Sequence, residues 1–121
     1  MTDLDKLIAA VEAGTASTMR FEDTLGHISS ATFGSADIVA ELAYFGSLDA
    51  ALRLHEALLP GWEYALYGPN DSYHLHQAQL ETPAMRAALD IGFSPISGEA
   101  ESPARAWLLA ILRAIKAKGG S

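Results

Sequence analysis

The chain has 121 residues, the size of one domain, and half of them are hydrophobic against 19% charged, a globular balance rather than a disordered one. Fifteen acidic residues against eight basic ones leave a net charge of −7, which disfavours sequence-independent binding to the phosphate backbone of DNA or RNA. Cysteine is absent, which excludes disulfides and thiolate metal sites.

A single α+β domain over 1–118 is expected, with Gly119-Gly120-Ser121 as a flexible tail or a cloning scar. No run of residues approaches the ~18–20 consecutive apolar positions of a membrane span. The polar, acidic start from Met1 to Lys6 is unlike a secretory leader, so a cytoplasmic setting is expected.

Residues 3–13 read as a helix. Leu4, Leu7, Ile8 and Val11 recur at i, i+3, i+4, i+7, Thr2 or Asp3 can cap the start, and Gly14 can end it. In 15–46 the pattern is weaker. Phe21, Leu25 and Ile28 suggest a short second helix, and Gly34 to Asp37 reads as a turn. Ile38, Val39, Leu42, Tyr44 and Phe45 are apolar without a clear period and are expected in the core. Residues 48–59 form a third helix, capped by Ser47, with a stripe of Leu48, Ala51, Leu52, Leu58 and Leu59 and a stop at Pro60-Gly61.

Apolar spacing then changes to two. Trp62, Tyr64 and Leu66 mark a half-buried strand, Gly68 to Asp71 is turn chemistry, and 73–80 reads as the returning strand of an antiparallel hairpin with a four-to-five residue loop. Met85, Ala87, Leu89, Ile91 and Phe93 alternate, which favours a strand over 84–93 above a helix capped by Thr82-Pro83. A short strand around Ile96 follows Pro95. The last helix, 103–117, has Ser102 as cap, Pro103 in its first turn and a broad stripe of Trp107, Leu108, Ile111, Leu112 and Ile115. Arg113, Lys116 and Lys118 lie near its C-terminal end, where positive charge complements the helix dipole. The expected fold is an antiparallel sheet of three or slightly more strands packed with helices, similar to an α/β/α sandwich.

Two segments together, Gly46 to Trp62 (GSLDAALRLHEALLPGW) and Gly98 to Arg113 (GEAESPARAWLLAILR), carry a resemblance. A helix ending in Pro-Gly-Trp, a sheet, then Pro-Ala before an Ala/Leu-rich helix resembles the phage ABA sandwich domain. That resemblance implies a sheet between helical layers in a small phage or prophage protein of a bacterial host cytoplasm. The matching residues are caps, a helix stop and core stripes, so it implies no catalytic residue.

Chemical signatures are sparse. His74 and His76 lie two apart on a strand and so share a face; as metal ligands they need partners such as His27, His55, Glu81 or Asp90. The alternative is two ordinary imidazoles on a sheet, and neither a metal nor another cofactor is expected. His55, among Leu52, Glu56 and Leu59, reads as a satisfied histidine at the edge of its helix stripe. Gly-x-Ser-x-Gly is absent, and Ser29 and Ser30 near His27 do not make a triad. Glu22-Asp23 and Glu99-x-Glu101 read as solvated or capping acids, and there is no P-loop.

The leading expectation is therefore a non-enzymatic protein that binds a basic protein partner through an acidic surface, as charge-mimicking inhibitors of host defence do. Glu41, Asp49, Glu56, Glu63 and Asp71 are its candidate acids, with Tyr67 and Tyr73 flanking the hairpin turn as exposed aromatics. Alternatives are a small-ligand pocket lined by Tyr64, Tyr67, His74 and His76, or a structural role in which a sheet edge pairs with a second copy as a homodimer.

Overall fold

The computed structural model describes residues 3–26, 28–30, 34–69, 75–84 and 95–118. Among them the order is α1 (Asp3–Ala13), α2 (Thr18–Leu25), β1 (Ser29–Ser30), β2 (Gly34–Ser35), α3 (Ala36–Tyr44), α4 (Leu48–Leu58), β3 (Glu63–Tyr67), β4 (His76–Glu81), β5 (Ile96–Ala100) and α5 (Pro103–Ala117). This is the α+β class expected, with a three-stranded antiparallel sheet packed against helices.

Helix α5 is the centre of the assembly. The Ser102 hydroxyl accepts the Arg105 N–H at 3.1 Å, and Pro103 occupies the first turn, where no intrahelical donor is lost. Ala104, Ala106, Trp107, Leu108, Leu109, Ala110, Ile111, Leu112 and Ala114 are all buried. A helix apolar on nearly all sides belongs inside, and here α1, α3 and α4 flank it while β4 and β5 lie along it.

The sheet order is β3-β4-β5, with Tyr64 opposite Leu80, Leu66 opposite Ala78, Ala78 opposite Gly98 and Leu80 opposite Ile96. Even-numbered positions of β4 therefore face α5, and Ala78 and Leu80 are buried there. Gly98 lets the two layers touch. A Cβ at that position would lie 2.6 Å from the Ala106 carbonyl oxygen and 2.7 Å from the Ala110 nitrogen, both backbone atoms that cannot swing aside.

The basic end of α5 is tied down. Arg113 pairs with Glu12 of α1 and donates to the Ser97 carbonyl of β5 at 2.8 Å, and Lys116 pairs with Asp5. Arg105 lies 4.3 Å above the Tyr44 ring and donates to the Tyr44 carbonyl at 3.3 Å, joining α5 to the C-terminal end of α3.

Three expectations need correction. The expected turn at 34–37 is a short β1–β2 ladder, Ser30 opposite Gly34, followed directly by α3. Ser35 holds an extended backbone at the N-cap, and its hydroxyl bonds the Asp37 carboxylate in the first turn. The returning strand of the hairpin spans His76–Glu81, with Leu75 outside it and Tyr67 paired with Gln77; residues 70–74 lie outside those described. Finally, of the residues expected in the core between 38 and 45, Val39 and Tyr44 are buried, but Ile38, Leu42 and Phe45 are exposed at 61%, 53% and 72%. The expected strand over 84–93 falls on residues outside those described, except Ala84, which is helical together with Pro83.

Candidate protein-docking surface

Helix α3 carries two apolar faces. Ala36, Val39, Ala40, Ala43 and Tyr44, at i, i+3, i+4, i+7 and i+8, are buried against α2, α4 and α5. Three of these are alanines, and small side chains let helices approach closely. Ile38, Leu42 and Phe45, at i, i+4 and i+7, form a second stripe that points out. Tyr44, the large side chain on the inner face, lies at the C-terminal end of the helix against Phe21.

Helix α2 runs beside this stripe. It starts at Ser17, whose hydroxyl accepts the Arg20 N–H, and buries Phe21 and Leu25. The Phe21 and Tyr44 rings meet at 5.7 Å beneath the surface, and Phe45 stands edge-on to Tyr44 at 5.2 Å. Between α2 and α3 lies a groove of about 230 Å³, lined by Thr18 and Glu22 of α2, by Asp37, Ile38, Glu41 and Leu42 of α3, and by Phe45. Among the described residues, three apolar side chains and three carboxylates line it, and no cation does.

The rim acids are oriented by neutral donors. The Thr18 hydroxyl donates to Glu41 Oε1 at 3.0 Å, and Ser35 donates to Asp37. A hydroxyl fixes a carboxylate without cancelling its charge. The site thus combines apolar area with fixed negative charge, a combination suited to a partner presenting apolar side chains between cations.

Of the sequence-predicted acids, Glu41 lies in this groove. Asp49 and Glu56 are exposed on α4, where Asp49 pairs with Arg53 at 3.2 Å. Glu63 and Tyr67 share the face of β3 turned away from α5, with Glu81 opposite Glu63 and Gln77 opposite Tyr67. Tyr67 is 49% exposed. The predicted acids and Tyr67 are therefore spread over α3, α4 and β3, and Asp71 and Tyr73 lie outside the described residues.

His76 is half-buried on β4 opposite Ala100, and His27 and His74 lie outside the described residues. Among the described residues no group of three metal-ligating side chains occurs. Of the predicted small-ligand pocket, Tyr64 and Tyr67 line a cavity of about 120 Å³ with Glu63, Ala65, Gln79 and Glu81, and His76 is not among its described lining residues.

His55 is 2% exposed, deeper than the stripe edge where the sequence places it. Trp107 Nε1–H, which can only donate, gives its hydrogen bond to His55 Nδ1 at 3.2 Å. His55 Nε2–H therefore donates to the Trp62 carbonyl at 2.9 Å, the arrangement of a neutral imidazole. The Tyr64 ring completes the stack, 5.1 Å from His55 and 4.5 Å from Trp107. Both ring nitrogens are used in joining α4, α5 and the start of β3, so this histidine is a strut.

Sequence reasoning missed Ile38, Leu42, Phe45, Glu22 and Asp37 as site residues. The available signal was the pair of interleaved stripes on α3, Ala36, Val39, Ala40, Ala43 and Tyr44 at one helical spacing and Ile38, Leu42 and Phe45 at another. No protein-family model matches this chain, and no curated protein and no solved structure matches it significantly.

Proposed function

We propose that this chain is a phage- or prophage-encoded accessory protein that acts by binding, without catalysis, a protein partner with a basic surface. Inhibition of a host defence component that handles nucleic acid is the role such a charge pattern serves, since that machinery presents basic patches. The resemblance of 46–62 and 98–113 to the phage ABA sandwich domain supports the phage origin. The observation that carries the binding role is the α2–α3 groove, where exposed Ile38, Leu42 and Phe45 lie between the carboxylates of Glu22, Asp37 and Glu41. Ordinary surfaces carry scattered apolar residues singly, whereas a rimmed apolar stripe marks an interaction site. Among the described residues no helix is long and apolar enough to cross a membrane.

The test is association with a purified basic protein captured from bacterial host lysate, measured over a salt series. Affinity should fall steeply between low and moderate salt, and Glu22→Lys/Glu41→Lys should weaken it at low salt. Salt-insensitive association, unchanged by the reversal, contradicts the reading.

A further inference from the structure

We infer that the α2–α3 groove takes a short amphipathic helix with basic flanks; this rests on the acidic-surface reading above and narrows it to one site and one class of ligand. The stripe runs from Ile38 to Phe45, about 10 Å or two helical turns at 1.5 Å per residue. Its spacing of i, i+4 and i+7 is the same one an amphipathic helix presents, so two such stripes interdigitate along their length.

The backbone argues for a helix as occupant. Both walls of the groove are helices whose main-chain hydrogen bonds are made internally, so an extended peptide finds no ladder to join there. A bound helix arrives with its own backbone satisfied and needs only side-chain contacts. Charge sets the flanks. Asp37 and Glu41 stand one turn apart on α3, and Glu22 faces them from α2, so lysines or arginines one turn apart on the ligand meet carboxylates. Thr18 and Ser35 hold two of those carboxylates in place, which reduces the ordering cost on binding. A second copy of this chain brings the same three acids and a net −7 against this rim, and nucleic acid or an anionic membrane brings phosphate; all are repelled.

The experiment uses two fluorescent peptides of identical Leu/Lys composition, one with leucines at i, i+3, i+4 and i+7 and one scrambled to remove the amphipathic face. Anisotropy titrations are run at low and moderate salt. The amphipathic peptide should bind about tenfold tighter than the scramble, about 1.4 kcal/mol. Leu42→Ser/Phe45→Ser should remove that preference and leave weak salt-dependent binding of both. Glu41→Lys, a substitution of a half-exposed side chain, should weaken the amphipathic peptide without altering the circular dichroism spectrum, and serves as the second variant should the first lose structure. Equal, salt-dependent binding of both peptides overturns the groove inference and leaves the acidic-surface reading standing. Binding of neither peptide at low salt overturns both. Self-association of the unmodified chain that disappears in Phe45→Ser also overturns the inference, by making a second copy the occupant.

Discussion

Helices α5 and α3 are both rich in apolar residues, yet they use them in opposite ways. Nine residues of α5 are buried, with its large side chains directed into the sheet and the flanking helices. In α3 the alanines go inside and Ile38, Leu42 and Phe45 go out. The difference lies in what each helix meets. Helix α5 has partners on most sides, so almost any apolar residue on it is enclosed. Helix α3 sits at the margin, packed closely on α2, α4 and α5 along one face, and what its other face carries is surplus to the core. Apolar character alone therefore does not mark core, and the surplus is what the proposed docking surface is built from.

This comparison can be broken in steps. The largest expected effect is at Trp107. Trp107→Ala removes the indole packed on His55 and Tyr64 and leaves His55 Nδ1 without its donor, and should cost about 3–5 kcal/mol in urea unfolding followed by circular dichroism. A loss below about 1 kcal/mol would mean that α5 is not the central support. Next is Gly98→Val, which places a branched side chain against the α5 backbone at Ala106 and Ala110. It should cost about 3 kcal/mol or more, as overpacking against an immovable neighbour does, and a near-neutral result would show that sheet and helix stand further apart. Ala40→Leu should cost about 1–3 kcal/mol, although it makes α3 more hydrophobic, because the inner face has no room for the added carbons. Stabilisation by that substitution would mean that the close approach on α3 is absent.

Much of the fold was legible in the sequence, and for a physical reason. Capping signals and one dominant stripe agree in 3–13 and 103–117, so those helices are specified twice, locally and by pattern, whereas in 48–59 the Ser47 cap holds but Leu48 is exposed and the buried face is Ala50, Ala51, Leu54 and His55. The change of spacing after Pro60 marks β3, and Ile96 marks β5. The segment 15–46 was hard to read because α3 is apolar on two faces, which blurs its period, and because the two-residue β1–β2 ladder is too short to show alternation. Burial of His55 was also hidden, since its partners Trp62 and Trp107 lie 7 and 52 residues away. The candidate site was legible only in part. Glu41 was identified from charge, whereas the apolar floor beside it was assigned to the core. Pattern reading expects one buried stripe per surface helix, so a second stripe is taken for part of the first.

The claim that most needs testing is that the outer stripe of α3 contributes surface rather than support. Equilibrium urea unfolding of Leu42→Ser/Phe45→Ser beside the unmodified chain addresses it directly. The account predicts a change within about 0.5 kcal/mol per substitution and an unaltered slope, as for exposed positions. A combined loss of about 3 kcal/mol or more would place these side chains in the core and remove the proposed docking groove.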